Sequence, residues 1–266
     1  MPAMELVTGL VLDADTLKAL TPLAGNSFTI RNAPDGTEVR LLQAWGCEDT
    51  LNHLGHFVIR SPLMHDNVRG ISLIEGGARA LPLLNNLVRQ KLFPQDTLTL
   101  EVLGTAGALV LSFGSILLYY EDLIGVSSNF ITPDELRTRS INLSTVENTI
   151  TALATGEYGT AEAINAESDL LKANTDYAII GYQCQTGAAQ CIRYRASAWG
   201  NLGLGGPANH ERPALTAQWF TNLSEQTGIP LIPVFNSADR GNVLIDMATA
   251  EDGSDMKLIT FLAQLT

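Results

Sequence analysis

The chain has 266 residues, 45% hydrophobic and 17% charged, with a formal net charge of −12 at pH 7. Such a balance describes a folded protein whose acidic surface repels phosphate backbones, which disfavours direct nucleic-acid binding. Three cysteines are too few for a disulfide framework, so an intracellular origin is the default expectation.

The opening stretch MPAMELVTGLVLDAD has no basic region ahead of a long apolar run, so no signal peptide is expected. A strand is predicted over residues 6–12, then a short helix over 13–20 capped by Asp13. Strands follow at 27–31, 39–45, 57–60 and 71–74. Leu84, Leu87, Val88 and Leu92 recur at helical spacing and predict a helix over 80–91. Strands at 98–103, 108–113 and 116–121 close this first unit. Residues 103–120 carry no charge over a length that would span a bilayer. Two buried strands meeting at Gly114-Ser115 explain the run equally well. Because the matching stretch 236–264 is interrupted by Asp239, Arg240, Asp246, Glu251, Asp252 and Asp255, strands are preferred and no transmembrane helix is expected.

The second unit reads similarly. A strand is expected at 141–143, then a helix from Ser144 to Ala154 with Ser144 as its cap. Strands come near Ala163 and at 177–184, 190–195 and 202–204, then a helix over 215–226, then strands at 231–235, 243–247 and 258–262. The two halves overlay at an offset of about 134, a tandem duplication in order and spacing more than in identity. Ile30 falls on Ile164, and Leu41-Leu42 falls near Ile179-Ile180. Val58-Ile59-Arg60 meets Cys191-Ile192-Arg193, the stretch from Gly107 meets that from Gly241, and SILLYYEDL meets KLITFLAQL. Two units are expected, residues 1–133 and 134–266.

Catalytic chemistry finds little support. The histidines are His53, His56, His65 and His210, and HLGH has neither the glutamate of a zinc-protease helix nor the spacing of a cupin metal site. GNLGLGG at 200–206 is not followed by a helix and reads as a turn or edge strand. Glu251, Asp252 and Asp255 sit on an acidic turn whose oxygens suit a structural Ca²⁺, although the spacing is not that of an EF-hand. Cys184 and Cys191 flank QTGAAQ, and a hairpin centred on Gly187-Ala188 would set them opposite each other, as a cross-strand thiol pair or as buried free thiols. No catalytic residue and no cofactor are expected. Lysine is confined to Lys18, Lys91, Lys172 and Lys257, which suits a surface given over to contacts with copies of the chain.

Two architectures share this outline of strand, helix, strands, helix, strands. One is a tandem pair of eight-stranded jelly rolls; the other is the two-domain sliding clamp. A clamp lines its channel with basic helices. Here the helix at 13–20 offers Lys18 and that at 80–91 offers Arg89 and Lys91, while 144–154 and 215–226 offer only Glu147 and Glu225.

The phrases FPQDTLTLEV…ILLYYEDL, TDYAIIGYQC and WFTNLSEQTGIPLIPVFNSADRGNVLIDMA, set in this duplicated pattern, resemble the double-jelly-roll major capsid proteins of icosahedral bacteriophages with an internal membrane, the tectivirus and corticovirus type. The resemblance covers the whole chain at the level of architecture. It implies a mainly β fold of two jelly rolls, each with a short early helix and a longer helix before its last three strands. It also implies a non-enzymatic coat protein that forms pseudo-hexagonal homotrimers in a shell assembled in the host cytoplasm. Partners would be the chain itself and other virion proteins, such as a vertex or inner-membrane protein. The alternatives are a trimeric clamp-like processivity factor and a bicupin-like β-barrel enzyme.

Overall fold

The computed structural model describes all residues except 13, 49–55, 75–89, 104–110, 127, 154–155, 165–170, 186–188, 209–212 and 250–254. In the first half the strands are β1 (Ala3–Leu12), β2 (Lys18–Ala19), β3 (Thr21–Pro22), β4 (Val39–Glu48), β5 (His56–Arg60), β6 (Ile71–Ile74), β7 (Lys91–Leu92), β8 (Thr99–Leu103) and β9 (Leu111–Tyr120). After β10 (Phe130–Ile131) and helix α1 (Pro133–Arg139), the second half runs through β11 (Ser140–Thr151), β12 (Glu162–Ala163), β13 (Asp176–Cys184), β14 (Ala189–Arg195) and β15 (Leu204–Pro207). Helix α2 (Trp219–Thr227) precedes β16 (Ile232–Asn236), β17 (Leu244–Thr249) and β18 (Asp255–Leu265).

The sheet order reveals the architecture. The first half forms sheets β3-β1-β9-β4-β7 and β2-β8-β5-β6; the second forms β10-β16-β13-β18-β11 and β12-β17-β14-β15. Set the short edge strands β3 and β10 aside and number the rest within each half. Both halves then give one sheet ordered first, eighth, third, sixth and another ordered second, seventh, fourth, fifth. That is the jelly-roll order, twice. The chain is mainly β, a double jelly roll. Inside the first sandwich Val7, Leu41 and Ile116 of one sheet meet Phe57, Ile59, Leu100 and Val102 of the other. Inside the second, Ile150, Ile179 and Leu262 meet Ile192, Tyr194, Ile245 and Met247.

β1 and β9 are buried on both faces. Ala3 and Val7 of β1, with Ile116, Leu118 and Tyr120 of β9, point into their own sandwich. Met4 and Leu6, with Leu117 and Tyr119, join the apolar cluster of the second sandwich. A strand covered on both faces loses its polar alternation. This is why the stretch ending at Tyr120 resembles a membrane span in sequence, and no helix among the described residues is long and apolar enough to cross a membrane. The predicted break at Gly114-Ser115 is absent: β9 runs through both, paired to Gly9 and Thr8. Gly114 is there for clearance, since a Cβ would lie 2.5 Å from Leu20 Cδ1 and 2.6 Å from Phe57 Cε2.

The structure corrects two helices. Residues 14–20 form no helix: the chain bends at Asp15-Thr16, Lys18-Ala19 pair with Val102 and Glu101, and Leu20 N–H donates to Leu100 C=O. Ala14 and Leu20 are buried in the first core, so tertiary packing overrides the local cap signal. In place of the helix expected from Ser144 to Ala154, residues 144–151 belong to strand β11 and pair with β18. Thr145, Val146, Thr149, Ile150 and Thr151 are β-branched and stiff at χ1, and Val146, Asn148 and Ile150 are buried on one face. The helix at this point lies just upstream. Thr132 caps α1, accepting from Glu135 N–H while Glu135 returns a bond to Thr132 N–H, with Pro133 in the first turn. The predicted helix at 80–91 lies outside the described residues apart from its end, where Lys91 is already in β7. Helix α2 answers to the one expected at 215–226.

The internal alignment also needs adjusting. The stretch from Gly241 leads into β17, a seventh strand, whereas that from Gly107 leads into β9, an eighth. β17 is equivalent to β8 instead. Ile30 and Ile164 do hold like places: each is buried between the second and third strands of its half and donates its N–H just ahead of the seventh strand, to Asp96 C=O and Val243 C=O.

Candidate functional site at the seam between the sandwiches

The outward faces of β1 and β9 lie on β14 and β15 of the second sandwich. Leu6 N–H donates to Gly203 C=O at 2.6 Å across the seam, and Trp45 meets Trp219 edge-on with ring centroids 6.2 Å apart. Thr8 Oγ1 shares a 2.9 Å hydrogen bond with Ser115 Oγ and lies 3.5 Å from Cys191 Sγ. Beside this apolar patch sits a charged one. Alternation along β14 turns Ile192 and Tyr194 inward and leaves Cys191, Arg193 and Arg195 on the seam face. Asp246 of β17, cross-strand from Arg193, takes Arg193 Nε and Nη2 at 2.8 and 2.7 Å and Arg195 Nη2 at 2.9 Å.

The Asp246 side chain is 2% exposed and that of Arg193 11%. Burial opposes the Arg193 charge, but the Asp246 carboxylate more than restores it and holds the guanidinium pKa above its ordinary value. The Tyr158 ring lies under Arg193, 3.4 Å from the guanidinium carbon to the ring centroid, a cation–π contact. Burial raises the pKa of the Tyr158 phenol and of the Cys191 thiol, so both are neutral at physiological pH.

Opposite them, Arg31 binds Glu5 Oε1 through Nε at 2.9 Å and Nη2 at 2.7 Å, and Tyr120 O–H donates to Glu5 Oε2 at 2.9 Å. Glu5, Arg31, Arg193, Arg195, Asn26, Asn201 and neighbouring backbone line a cavity of about 210 Å³. A larger cleft of about 840 Å³ shares Glu5, Arg31 and Leu202 and runs on past Ile30, Leu123, Ile124 and Val126. Sequence reading missed this cluster because Arg193, Arg195 and Asp246 are far apart in the chain. Their one trace was charge at alternate positions of a strand expected to be buried.

The residues singled out from sequence are placed elsewhere. Cys184 and Cys191 are both buried free thiols, but they do not oppose each other. β13 and β14 belong to different sheets, with Cys184 opposite Leu258 and Cys191 opposite Pro207 and Ala248. Since the two cysteines lie in different sheets, the cross-strand pair is not formed. Asp255 opens β18 and accepts from Thr151 Oγ1 at 2.9 Å; Glu251 and Asp252 lie outside the described residues. His56 is on β5, opposite Ile74 and Leu103, and His65 follows in a turn; His53 and His210 lie outside the described residues. No cluster of metal-ligating side chains occurs among the described residues. The glycine run at 200–206 does form a turn and an edge strand: Gly200 and Asn201 are left-handed at φ 70° and 57°, and β15 follows. A Cβ at Gly205 would meet Ile192 C=O at 1.9 Å, so the strand lies too close to β14 for any side chain there.

No family model matches the sequence, and neither does any curated protein. Among solved structures, the chain is similar to the major capsid protein P2 of bacteriophage PM2, with 10% identity over 100% of this chain and 98% of that one, at a TM-score of 0.23. It is also similar to the STIV MCP, with 8% identity over 100% and 97% and a TM-score of 0.25. A third likeness is AerE from Microcystis aeruginosa, with 10% identity over 99% and 93% and a TM-score of 0.17.

Proposed function

We propose that the chain is a structural coat protein, a major capsid protein that assembles as a homotrimer into an icosahedral shell. The observation that supports this reading is one strand order written twice in a single chain, with the two sandwiches fused across a buried seam into one block. The first sandwich ends ahead of β10 and the second takes in β10 although a boundary at 133/134 was expected; each supplies one corner of a tile, and three copies give a pseudo-hexagonal outline by closed symmetry. The chain acts through contacts with itself and with other virion proteins, without catalysis and without a cofactor. The clamp alternative loses two of the helices it needs, because residues 14–20 form a bend and strand β2 and residues 144–151 belong to strand β11. Light scattering of the purified chain at micromolar concentration, with negative-stain images, tests the reading. A trimer with a six-cornered outline is expected; a monomer with no shell or tile overturns it.

A further inference from the structure

We propose that the cavity in the seam, lined by Arg31, Arg193, Arg195, Asn26 and Asn201, binds a small oxyanion of the phosphate class. The argument begins with charge. Among the described residues the seam sets three guanidinium groups against two carboxylates, Glu5 and Asp246, and so carries one unmatched positive charge. That surplus lies in a chain of net charge −12, beside an aromatic ring and an apolar patch.

The donors are also in surplus. Glu5 engages Nε and Nη2 of Arg31, and Asp246 engages Nε and Nη2 of Arg193 but only Nη2 of Arg195. Arg195 Nε is buried with no hydrogen-bond partner among the described residues. A buried charged donor without an acceptor is costly, and a planar guanidinium fork matches a tetrahedral oxyanion in geometry as well as in charge. The carboxylates do not block such a guest. Both oxygens of Glu5 are engaged, by Arg31 and by Tyr120, and both oxygens of Asp246 by the two strand arginines. Arg31 comes from the first sandwich and Arg193 and Arg195 from the second, so a bound oxyanion fastens one to the other.

The proposal does not depend on the shell reading, because it concerns a site within one chain. Its test is titration of the full chain with inorganic phosphate against sodium chloride at equal ionic strength and constant pH. Thermal unfolding and isothermal titration calorimetry are the readouts. Phosphate is expected to raise the melting temperature saturably where chloride does not, with a heat of binding close to one site per chain. Arg195→Gln should weaken binding about tenfold or more, the loss of one charge-assisted contact. Asn201→Asp adds a negative charge to the cavity from a left-handed turn position that aspartate tolerates, and it serves where the arginine variant folds poorly. It should abolish the phosphate response, while Arg240→Gln, outside the cavity, should leave it intact. Equal responses to phosphate and chloride in the native chain overturn the proposal, and so does a full phosphate response in Asn201→Asp.

Discussion

Asp246 is the side chain on which the seam's electrostatics turn, since it alone receives both strand arginines. Replacing it by asparagine leaves two cations, Arg193 nearly buried and Arg195 partly exposed, against a buried neutral amide. Breaking a buried pair in this way costs about 3–5 kcal/mol. Urea denaturation of Asp246→Asn should show a loss on that scale; a loss under about 1 kcal/mol, typical of an exposed pair, would mean the cluster is solvated. Glu135 makes a different point. Hydrogen bonds from the Thr132 backbone and side chain hold its pKa below the usual carboxylate value. A depressed pKa stabilises the fold above the ordinary carboxylate range, and that contribution disappears as pH falls through the folded value. Thr132→Ala should therefore move the Glu135 titration part-way back up, as followed by NMR, and cost about 1 kcal/mol at neutral pH, the usual worth of such a cap. The difference between variant and native chain should shrink in acid.

Strands were legible as short, bounded apolar runs even with both faces covered, as in β13 and β14, and hardest where neighbours override the local pattern. β4, β5, β6, β13 and β14 were recognisable from short β-branched and aromatic runs. β11 was misread because Ser144 imitates a helix cap, although the row of β-branched residues after it already favoured a strand. The capping box at Thr132–Glu135 was written in the sequence and overlooked only because a boundary was expected at Pro133. What could not be read was the pairing of residues distant in the chain, above all Arg193 and Arg195 with Asp246 and Glu5 with Arg31. β9 shows how close its packing is: Gly114→Val would drive side-chain atoms into Leu20 and Phe57 and should cost about 1–3 kcal/mol by overpacking in denaturant unfolding. β11 shows the opposite condition. It is the edge of its sheet, uncharged from Ser140 to Val146, with Ile141 52% and Leu143 65% exposed. Bare edges of that kind invite strand pairing, and lysine is the usual protection against it. On the proposed trimer, Leu143→Lys should leave the circular dichroism spectrum unchanged and lower the assembled fraction in light scattering.

The two sandwiches share an apolar cluster that takes in Met4, Leu6, Trp45 and Leu117 from one and Trp219, Leu204 and Tyr158 from the other. Neither sandwich can unfold without uncovering the other. Leu117→Ala should cost about 2–5 kcal/mol, the range for truncating a buried leucine. Tryptophan fluorescence and far-UV circular dichroism should still report a single shared transition, and a split into two would show that the seam is weaker than the cores. The strand order repeats, but the trimming of the edges does not. β3 covers the β1 edge in the first sandwich, whereas β10 covers the β16 edge in the second and leaves β11, the counterpart of β1, open. One half is therefore shielded on the side where the other is bare. A closed ring of such chains has corners of two alternating kinds, and a sense of rotation is built into each subunit before any two of them meet.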